Sequence, residues 1–233
     1  SQDSKENLYA GTGAGAFSDA DTCYNIGIGY SAAHTLNSGD NNVILGKQAG
    51  FYITSGQYNT MLGCHAGFNN NGNCNFLAIN AAGCHNESGS NNVFIGSHTA
   101  AGGSGGTYND ASDNIAIGRA AGSCLDGGDY NIFLGVLAGK NTTNWGCNIY
   151  MGWCAGYANN MGYNNIVMGC KAASGSSEIV NEGSWNIIFG SEAGYYLKDG
   201  DNNVILGCKA GYNVDTCLLY TSDAADEGLG VDL

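Results

Sequence analysis

Hydrophobic and polar positions repeat along this chain in a nine-residue pattern that begins with asparagine. A short apolar triplet follows the asparagine, then glycine at position 5, alanine at position 8, and glycine or alanine at position 9. The pattern recurs with a 17-residue period in seven of its eleven intervals, and the other four intervals are slightly shorter or longer. Helical repeats run longer, at about 33 residues or more, so this period favours a β-solenoid with one coil per repeat. The twelve repeats start at Asn7, Asn25, Asn42, Asn59, Asn75, Asn92, Asn114, Asn131, Asn148, Asn165, Asn186 and Asn203.

The composition agrees with an all-β solenoid, or β-roll, that spans residues 1–216. The 233 residues include 39 glycines, which permit the positive φ angles of tight corners. Asparagines tolerate the same angles and can stack as hydrogen-bonded ladders between coils. Proline is absent, as expected where nearly every N–H pairs with the next coil. Twelve coils at roughly 4.8 Å each predict a rod about 58 Å long.

The apolar triplets, at positions 2 to 4, predict which side chains form the core of the coil. Successive strand residues point to opposite faces. If positions 2 and 4 point inward, the core includes Val43, Leu45, Ile132, Leu134, Ile187 and Phe189.

Position 3 then points outward, and it is also apolar in nearly every repeat. A long exposed apolar stripe normally marks an interface, and strands buried on both faces read as continuous apolar runs. We therefore expect self-association, most simply as a homotrimer around a threefold axis. The predicted interface residues are Ile44, Met61, Leu77, Phe94, Phe133, Val167, Ile188 and Ile205.

The repeat resembles two known families. Asn114-Ile-Ala-Ile-Gly-Arg-Ala-Ala-Gly122 is similar to the repeats of phage tail fibres and tail-fibre-like proteins, and more distantly to the head repeats of trimeric autotransporter adhesins. The resemblance covers residues 7 to about 213. It implies a non-enzymatic shaft or head segment of a trimeric fibre, in a virion tail or on a cell surface, that presents a receptor-binding tip.

The last part of the chain departs from the repeat. The segment Cys217-Leu-Leu-Tyr-Thr-Ser-Asp-Ala-Ala-Asp-Glu227 resembles the translated read-through of a transposase sequencing adapter. We therefore expect residues 217–233 to be non-native, to lie outside the solenoid and to be irregular from about Cys217 onward.

Two long repeats indicate surface loops that could bind a ligand. Insertions in solenoids emerge as loops, often on the binding face. The repeat that starts at Asn92 carries an insertion around residues 101–110, and the repeat that starts at Asn165 carries one around residues 174–182. Candidate residues for a cell-surface glycan are Tyr108, Asp110, Glu178 and Trp185. Alternatives are insertions without a ligand, a glycan- or surface-binding solenoid module, and a fibre-borne polysaccharide depolymerase.

The net charge and the spacing of cysteines, histidines and acids limit which partners, disulfides and metal sites are expected. The net charge of −13 argues against nucleic acid as a partner, and no apolar run is long enough to suggest membrane insertion. Matching positions of neighbouring coils hold no cysteine pair, so free thiols are predicted. The pairs Cys64-His65 and Cys84-His85 lack zinc spacing, and the clustered aspartates lack a full calcium loop. No metal and no cofactor is therefore predicted.

Overall fold

The computed structural model describes residues 5–18, 21–102, 109–158, 162–176, 182–213 and 220–221. Within these ranges, thirteen strands form one parallel sheet in chain order. The strands are β1 (Leu8–Ala10), β2 (Ile26–Ile28), β3 (Val43–Leu45), β4 (Thr60–Leu62), β5 (Phe76–Ala78), β6 (Val93–Ile95), β7 (Ile115–Ile117), β8 (Ile132–Leu134), β9 (Ile149–Met151), β10 (Ile166–Met168), β11 (Ile187–Phe189), β12 (Val204–Leu206) and β13 (Tyr220–Thr221).

Each of the twelve repeats contributes one strand at its positions 2 to 4, which confirms the β-solenoid. Equivalent positions pair between coils, as in Val43 with Thr60 and Ile44 with Met61. The register is kept across the longest repeat, where Val93 pairs with Ile115. The extra residues of the long repeats are therefore accommodated between strands, and the stack continues unchanged.

The buried and the exposed side of each strand are the reverse of those predicted from the sequence. The flanking residues that were predicted as core are half-buried or exposed, namely Val43, Leu45, Ile132, Leu134, Ile187 and Phe189. The middle residues that were predicted to face outward are 0–1% exposed within a single chain, namely Ile44, Met61, Leu77, Phe94, Phe133, Val167, Ile188 and Ile205. Residues without surface in one chain cannot contact another chain, so their assignment to an oligomer interface was wrong.

The asparagine at position 1 explains the reversal. All twelve of these asparagines are buried, at 0–2% exposure. Because strand side chains alternate between two faces, position 3 lies on the same inner side as position 1. The sequence-based prediction supposed that positions 2 and 4 point inward and did not use the asparagine to orient the strand, so it chose the wrong side.

The buried asparagines form a continuous hydrogen-bonded ladder, as the sequence predicted. The backbone N–H of Asn42 donates to Oδ1 of Asn25 at 2.9 Å. The same bond joins every consecutive pair of the twelve, at 2.8–3.0 Å. Nδ2 of Asn42 also donates to the carbonyl oxygen of Gly56, at 2.8 Å. The amide of Asn42 thus satisfies a buried carbonyl of its own coil and, through Oδ1, the N–H of Asn59 in the next one.

The corner after each strand depends on glycine at position 5. These glycines have φ angles of 121–143°, which L-residues rarely adopt. A Cβ atom on Gly46 would lie 2.5 Å from the carbonyl oxygen of Gly63 in the next coil. Ile79 is the exception, and it takes this position with a φ of 81°. Backbone approach between coils therefore explains why the position is almost always glycine.

The interior of the coil is narrow and is completed by small residues. Alanines at position 8, such as Ala49 and Ala138, are fully buried opposite the middle strand residues. Glycine at position 9 leaves room for large rings, since a Cβ atom on Gly139 would lie 2.5 Å from the ring of Phe133. Some coils bury a second large side chain at position 12, as Ile53 and Leu197 show at 0% and 2% exposure.

Pairing continues beyond residue 216. β13 pairs in parallel with β12, where Tyr220 lies opposite Ile205 and Thr221 opposite Leu206. The expectation of an irregular chain from Cys217 onward is therefore wrong at these two residues, and the rest of 217–233 lies outside the described residues.

Candidate functional site

The outer side of the sheet is an apolar surface, which we call the outward face. It consists of the first and third residue of each strand from β1 to β12. Every member of this set is apolar except Thr60. None of them is buried in the chain. They form two parallel columns that run along the rod.

Nine residues of the outward face are 37–42% exposed, which leaves large aliphatic and aromatic groups in contact with water. These residues are Leu8, Ile26, Ile28, Phe76, Ile115, Ile117, Ile187, Phe189 and Leu206. The strands from β1 to β12 contain no charged residue. Parallel sheets are usually covered on both faces, whereas the described part of this chain covers its sheet on one face only.

The predicted ligand residues do not form one site. Tyr108 and Glu178 lie outside the described residues. Asp110 is exposed, and its Oδ1 accepts a hydrogen bond from Oγ of Ser88 at 2.8 Å. Trp185 belongs to a coil four repeats further along, about 19 Å along the rod. Of the four candidates, the structure therefore places two, and it does not bring those two together.

Trp185 instead takes part in an aromatic row that the sequence reasoning missed. Its ring lies 5.7 Å from that of Tyr163, and Tyr163 stacks on Trp145 at 5.6 Å. All three rings are 38–54% exposed. The three rings come from three consecutive coils and are 18 and 22 residues apart in the sequence, because the last of these coils is one of the long repeats. A search for aromatics near the repeat period could have found them.

A second aromatic column lies on another side of the coil. The ring of His34 stacks on that of Phe51 at 4.5 Å, and Phe51 stacks on Phe68 at 5.4 Å. These residues share repeat position 10 in three consecutive coils. The next coil has Cys84 at that position, so the column of rings ends at Phe68. One side of the Phe68 ring is therefore left without an aromatic neighbour in the column.

Two adjoining hollows open where this column ends, and we call them together the Phe68 groove. They have volumes of ≈ 420 Å³ and ≈ 390 Å³ and share Phe68 and His85. The first is also lined by Tyr52, Thr54, Asn69 and Asn71, and the second by His65, Ala81, Cys84 and His98. None of these lining residues is an acid, a lysine or an arginine.

Hydrogen bonds hold the polar groups of the groove in defined states. Nδ1 of His85 lies 2.7 Å from the carbonyl oxygen of Ala101, so Nδ1 carries the proton and donates it. Nε2 of a neutral His85 is then an acceptor. Oδ1 of Asn71 accepts from the backbone N–H and the hydroxyl of Thr54, at 2.7 and 2.8 Å. The Nδ2 group of Asn71 is the donor end of that amide.

Two cysteines, Cys84 at the groove and Cys154 several coils away, are unlike reactive thiols. Burial raises the pKa of the Cys84 thiol, and its Sγ donates to the carbonyl oxygen of Ala101 at 3.3 Å. Burial also raises the pKa of Cys154. A nucleophilic cysteine needs a lowered pKa. The nine cysteines in the described ranges are all free.

The described part of the chain contains no group of three or more histidine, cysteine, aspartate or glutamate side chains placed to hold a metal ion. It also contains no helix long and apolar enough to cross a membrane.

Comparison of the chain with protein-family models, curated proteins and solved structures returned no match.

Proposed function

We propose that this chain is a structural segment of a fibre and that it associates as a homotrimer through the outward face. The observation that carries the proposal is that this whole face is apolar apart from Thr60 and that each of its residues is exposed or only half-buried in the chain. Monomeric proteins rarely expose contiguous apolar patches larger than a few hundred Å². A second and a third copy of the same face would cover it.

The size of the face supports a stable contact. If each residue of the face exposes on the order of 50 Å², the face offers on the order of 1,000 Å² per chain, compared with about 800 Å² per partner in a standard interface. The face extends along all twelve coils, over about 53 Å. Three such faces turned towards a common axis would enclose one apolar core. The trimer inferred from the sequence is thus retained, but with the flanking strand residues in place of the middle ones.

The repeat pattern supports a fibre as the context. Its resemblance to the repeats of phage tail fibres and trimeric adhesins agrees with a rod that holds and spaces a receptor-binding tip. In this proposal the protein acts in a virion tail or on a cell surface. The laddered asparagines and repeated coils supply length and stiffness, and the outward face supplies the assembly.

The experiment compares the mass in solution of the full chain with that of two variants by analytical ultracentrifugation. We expect three times the chain mass for the wild type. Ile117→Asp/Leu134→Asp changes two paired residues of the outward face and should give monomers with an unchanged far-UV circular dichroism spectrum. The control Tyr58→Asp/Tyr130→Asp changes two exposed rings outside the strands, 59% and 63% exposed, and should remain trimeric. A wild-type chain that stays monomeric at high concentration would overturn the proposal.

A further inference from the structure

We propose that the Phe68 groove binds a neutral saccharide, with one sugar unit in each of its two hollows. The inference is independent of the assembly proposed above. It rests on the place where the ring column ends, on the mixture of aromatic and polar groups that line the groove, and on the absence of acids, lysines and arginines among the lining residues.

The aromatic surface comes from the interruption of the ring column at Cys84. In the coils before it, the ring of Phe51 is stacked between His34 and Phe68. Phe68 has a ring on one side in the column and the smaller Cys84 on the other. Tyr52, which is 51% exposed, meets Phe68 edge to face at 5.1 Å. These two rings offer apolar surface of the kind on which the C–H face of a sugar packs.

Irregularities of the repeat open the groove at this place. Position 7 holds His65 and His98 in two coils, with Ala81 between them. The missing side chain at Ala81 leaves a gap between two imidazoles about 9.6 Å apart along the rod. The interval from Asn59 to Asn75 is also the shortest of the eleven. The small side chain at Ala81 and the short interval from Asn59 to Asn75 thus produce a recess on the surface of the rod.

The polar groups of the groove match sugar hydroxyls. Nε2 of His85 can accept a hydroxyl proton, because Nδ1 already donates to Ala101. Nδ2 of Asn71 can donate, because Oδ1 of that amide accepts from Thr54. Ligand sites usually combine apolar lining with a few placed polar groups, in volumes of about 300–1,000 Å³. Each hollow falls within this range, and the shared Phe68 and His85 make the two hollows adjacent.

The charge distribution favours a neutral ligand over an anionic one. The lining residues include no lysine or arginine to pair with an acidic sugar. The chain as a whole carries a net charge of −13, which disfavours approach of a polyanion.

The groove uses none of the residues of the outward face, through which the proposed trimer assembles. Its residues occupy repeat positions 7, 10, 11 and 13, whereas the outward face occupies positions 2 and 4. None of the groove residues belongs to a strand. Assembly and saccharide binding can therefore be measured separately on the same sample.

The test uses the full chain with four neutral probes, namely cellobiose, maltose, lactose and N,N′-diacetylchitobiose. Saturation-transfer difference NMR and calorimetric titration up to about 10 mM would detect a Kd near 1 mM, which corresponds to about −4 kcal/mol. We expect at least one disaccharide to bind. Cys84→Phe should fill the groove by extending the ring column and should weaken binding at least tenfold. His85→Phe keeps a ring but removes Nε2, and should also weaken it at least tenfold.

The matched control is Cys208→Phe, which makes the same change at an exposed cysteine far along the rod. It should bind as the wild type does. Binding of none of the four probes would overturn the proposal, and so would equal binding by Cys84→Phe and Cys208→Phe, which would place the sugar elsewhere, for example on the row of Trp145. Sedimentation of the same samples separates this result from assembly, because a monomer that binds sugar contradicts only the trimer.

Discussion

The backbone N–H of Asn59 donates a 2.9 Å hydrogen bond to Oδ1 of Asn42, one coil earlier. The side chain of Asn59 in turn accepts from the N–H of Asn75 and donates to the carbonyl oxygen of Gly72. One amide therefore satisfies two buried backbone groups. The ladder explains how a coil with so small an apolar interior can keep its inner polar groups paired.

The first prediction concerns this ladder. Asn59→Ala leaves the N–H of Asn75 without its partner and leaves the carbonyl oxygen of Gly72 with only the longer bond from Nδ2 of Asn70, at 3.4 Å. An unsatisfied buried group costs about 1–3 kcal/mol. We expect the free energy of unfolding, measured by urea denaturation, to fall by about 2–5 kcal/mol. Asn80→Ala changes an exposed asparagine and should alter stability by less than about 0.5 kcal/mol. Equal effects of the two substitutions would show that the ladder contributes little.

The second prediction separates the inner from the outer side of one strand. Phe133 is fully buried, and Phe133→Ala should lower the free energy of unfolding by about 3–5 kcal/mol because it leaves a cavity. Leu134→Asp lies on the outward face and should change the stability of the single chain by about 1 kcal/mol or less. The comparison is made by chemical denaturation at a dilution where both variants are monomeric. If Leu134→Asp destabilised the chain more than Phe133→Ala, the flanking strand residues would form the core, as expected from the sequence.

The third prediction concerns the one coil without glycine at position 5. Ile79 has a φ of 81°, a conformation that costs a β-branched residue about 1–3 kcal/mol. Ile79→Gly should therefore raise the free energy of unfolding, by about 0.5–2 kcal/mol once the greater chain entropy of glycine is included. The reciprocal change in the next coil, Gly96→Ile, should destabilise, since its Cβ would lie 2.5 Å from the carbonyl oxygen of Gly118. The melting temperatures of both variants test this prediction. A lower melting temperature for Ile79→Gly would contradict the claim that Ile79 is strained.

The fourth prediction is a pH dependence. Complete burial raises the pKa of the Tyr150 phenol. An unfolded tyrosine loses its proton near pH 10, whereas folded Tyr150 keeps it. The stability that comes from burying the neutral phenol is thus fully present below about pH 10 and is lost as the pH rises above it, by up to about 1.4 kcal/mol per pH unit.

Tyr150→Phe should remove this contribution. The variant is expected to lose less stability than the wild type between pH 8 and pH 11, as measured by urea denaturation at each pH. Tyr130→Phe, at a ring that is 63% exposed, serves as the control and should follow the wild-type slope. If all three proteins lose stability in parallel, the alkaline loss does not come from Tyr150.

The sequence by itself determined the period, the number of coils and the parallel pairing of the strands. These follow from the spacing of the asparagines and from glycine at position 5, because a fixed repeat of one strand per coil has only one way to stack in register. The ladder from Asn7 to Asn203 could also be predicted, since identical amides at matching positions must meet when coils stack.

The tertiary structure decided which side of each strand is inside. An apolar triplet such as Val43-Ile44-Leu45 is compatible with either orientation, because alternation fixes only that the middle and the flanks lie on opposite sides. The buried amide of Asn42 resolves this choice, because position 1 and position 3 share a face. The sequence does not show whether the asparagine ladder runs through the interior of the coil or along a corner, and the structure places it in the interior.

The tertiary structure also decided where the ligand-sized recess lies. The insertions pointed to Asp110 and Trp185, yet most residues of the Phe68 groove come from coils without an insertion, and only His98 belongs to the long repeat that starts at Asn92. Whether the ring of Phe68 is covered depends on Cys84 and Ala81 in the following coil. Such a recess is a property of neighbouring coils in contact, so it emerges only when the stacking brings those side chains together.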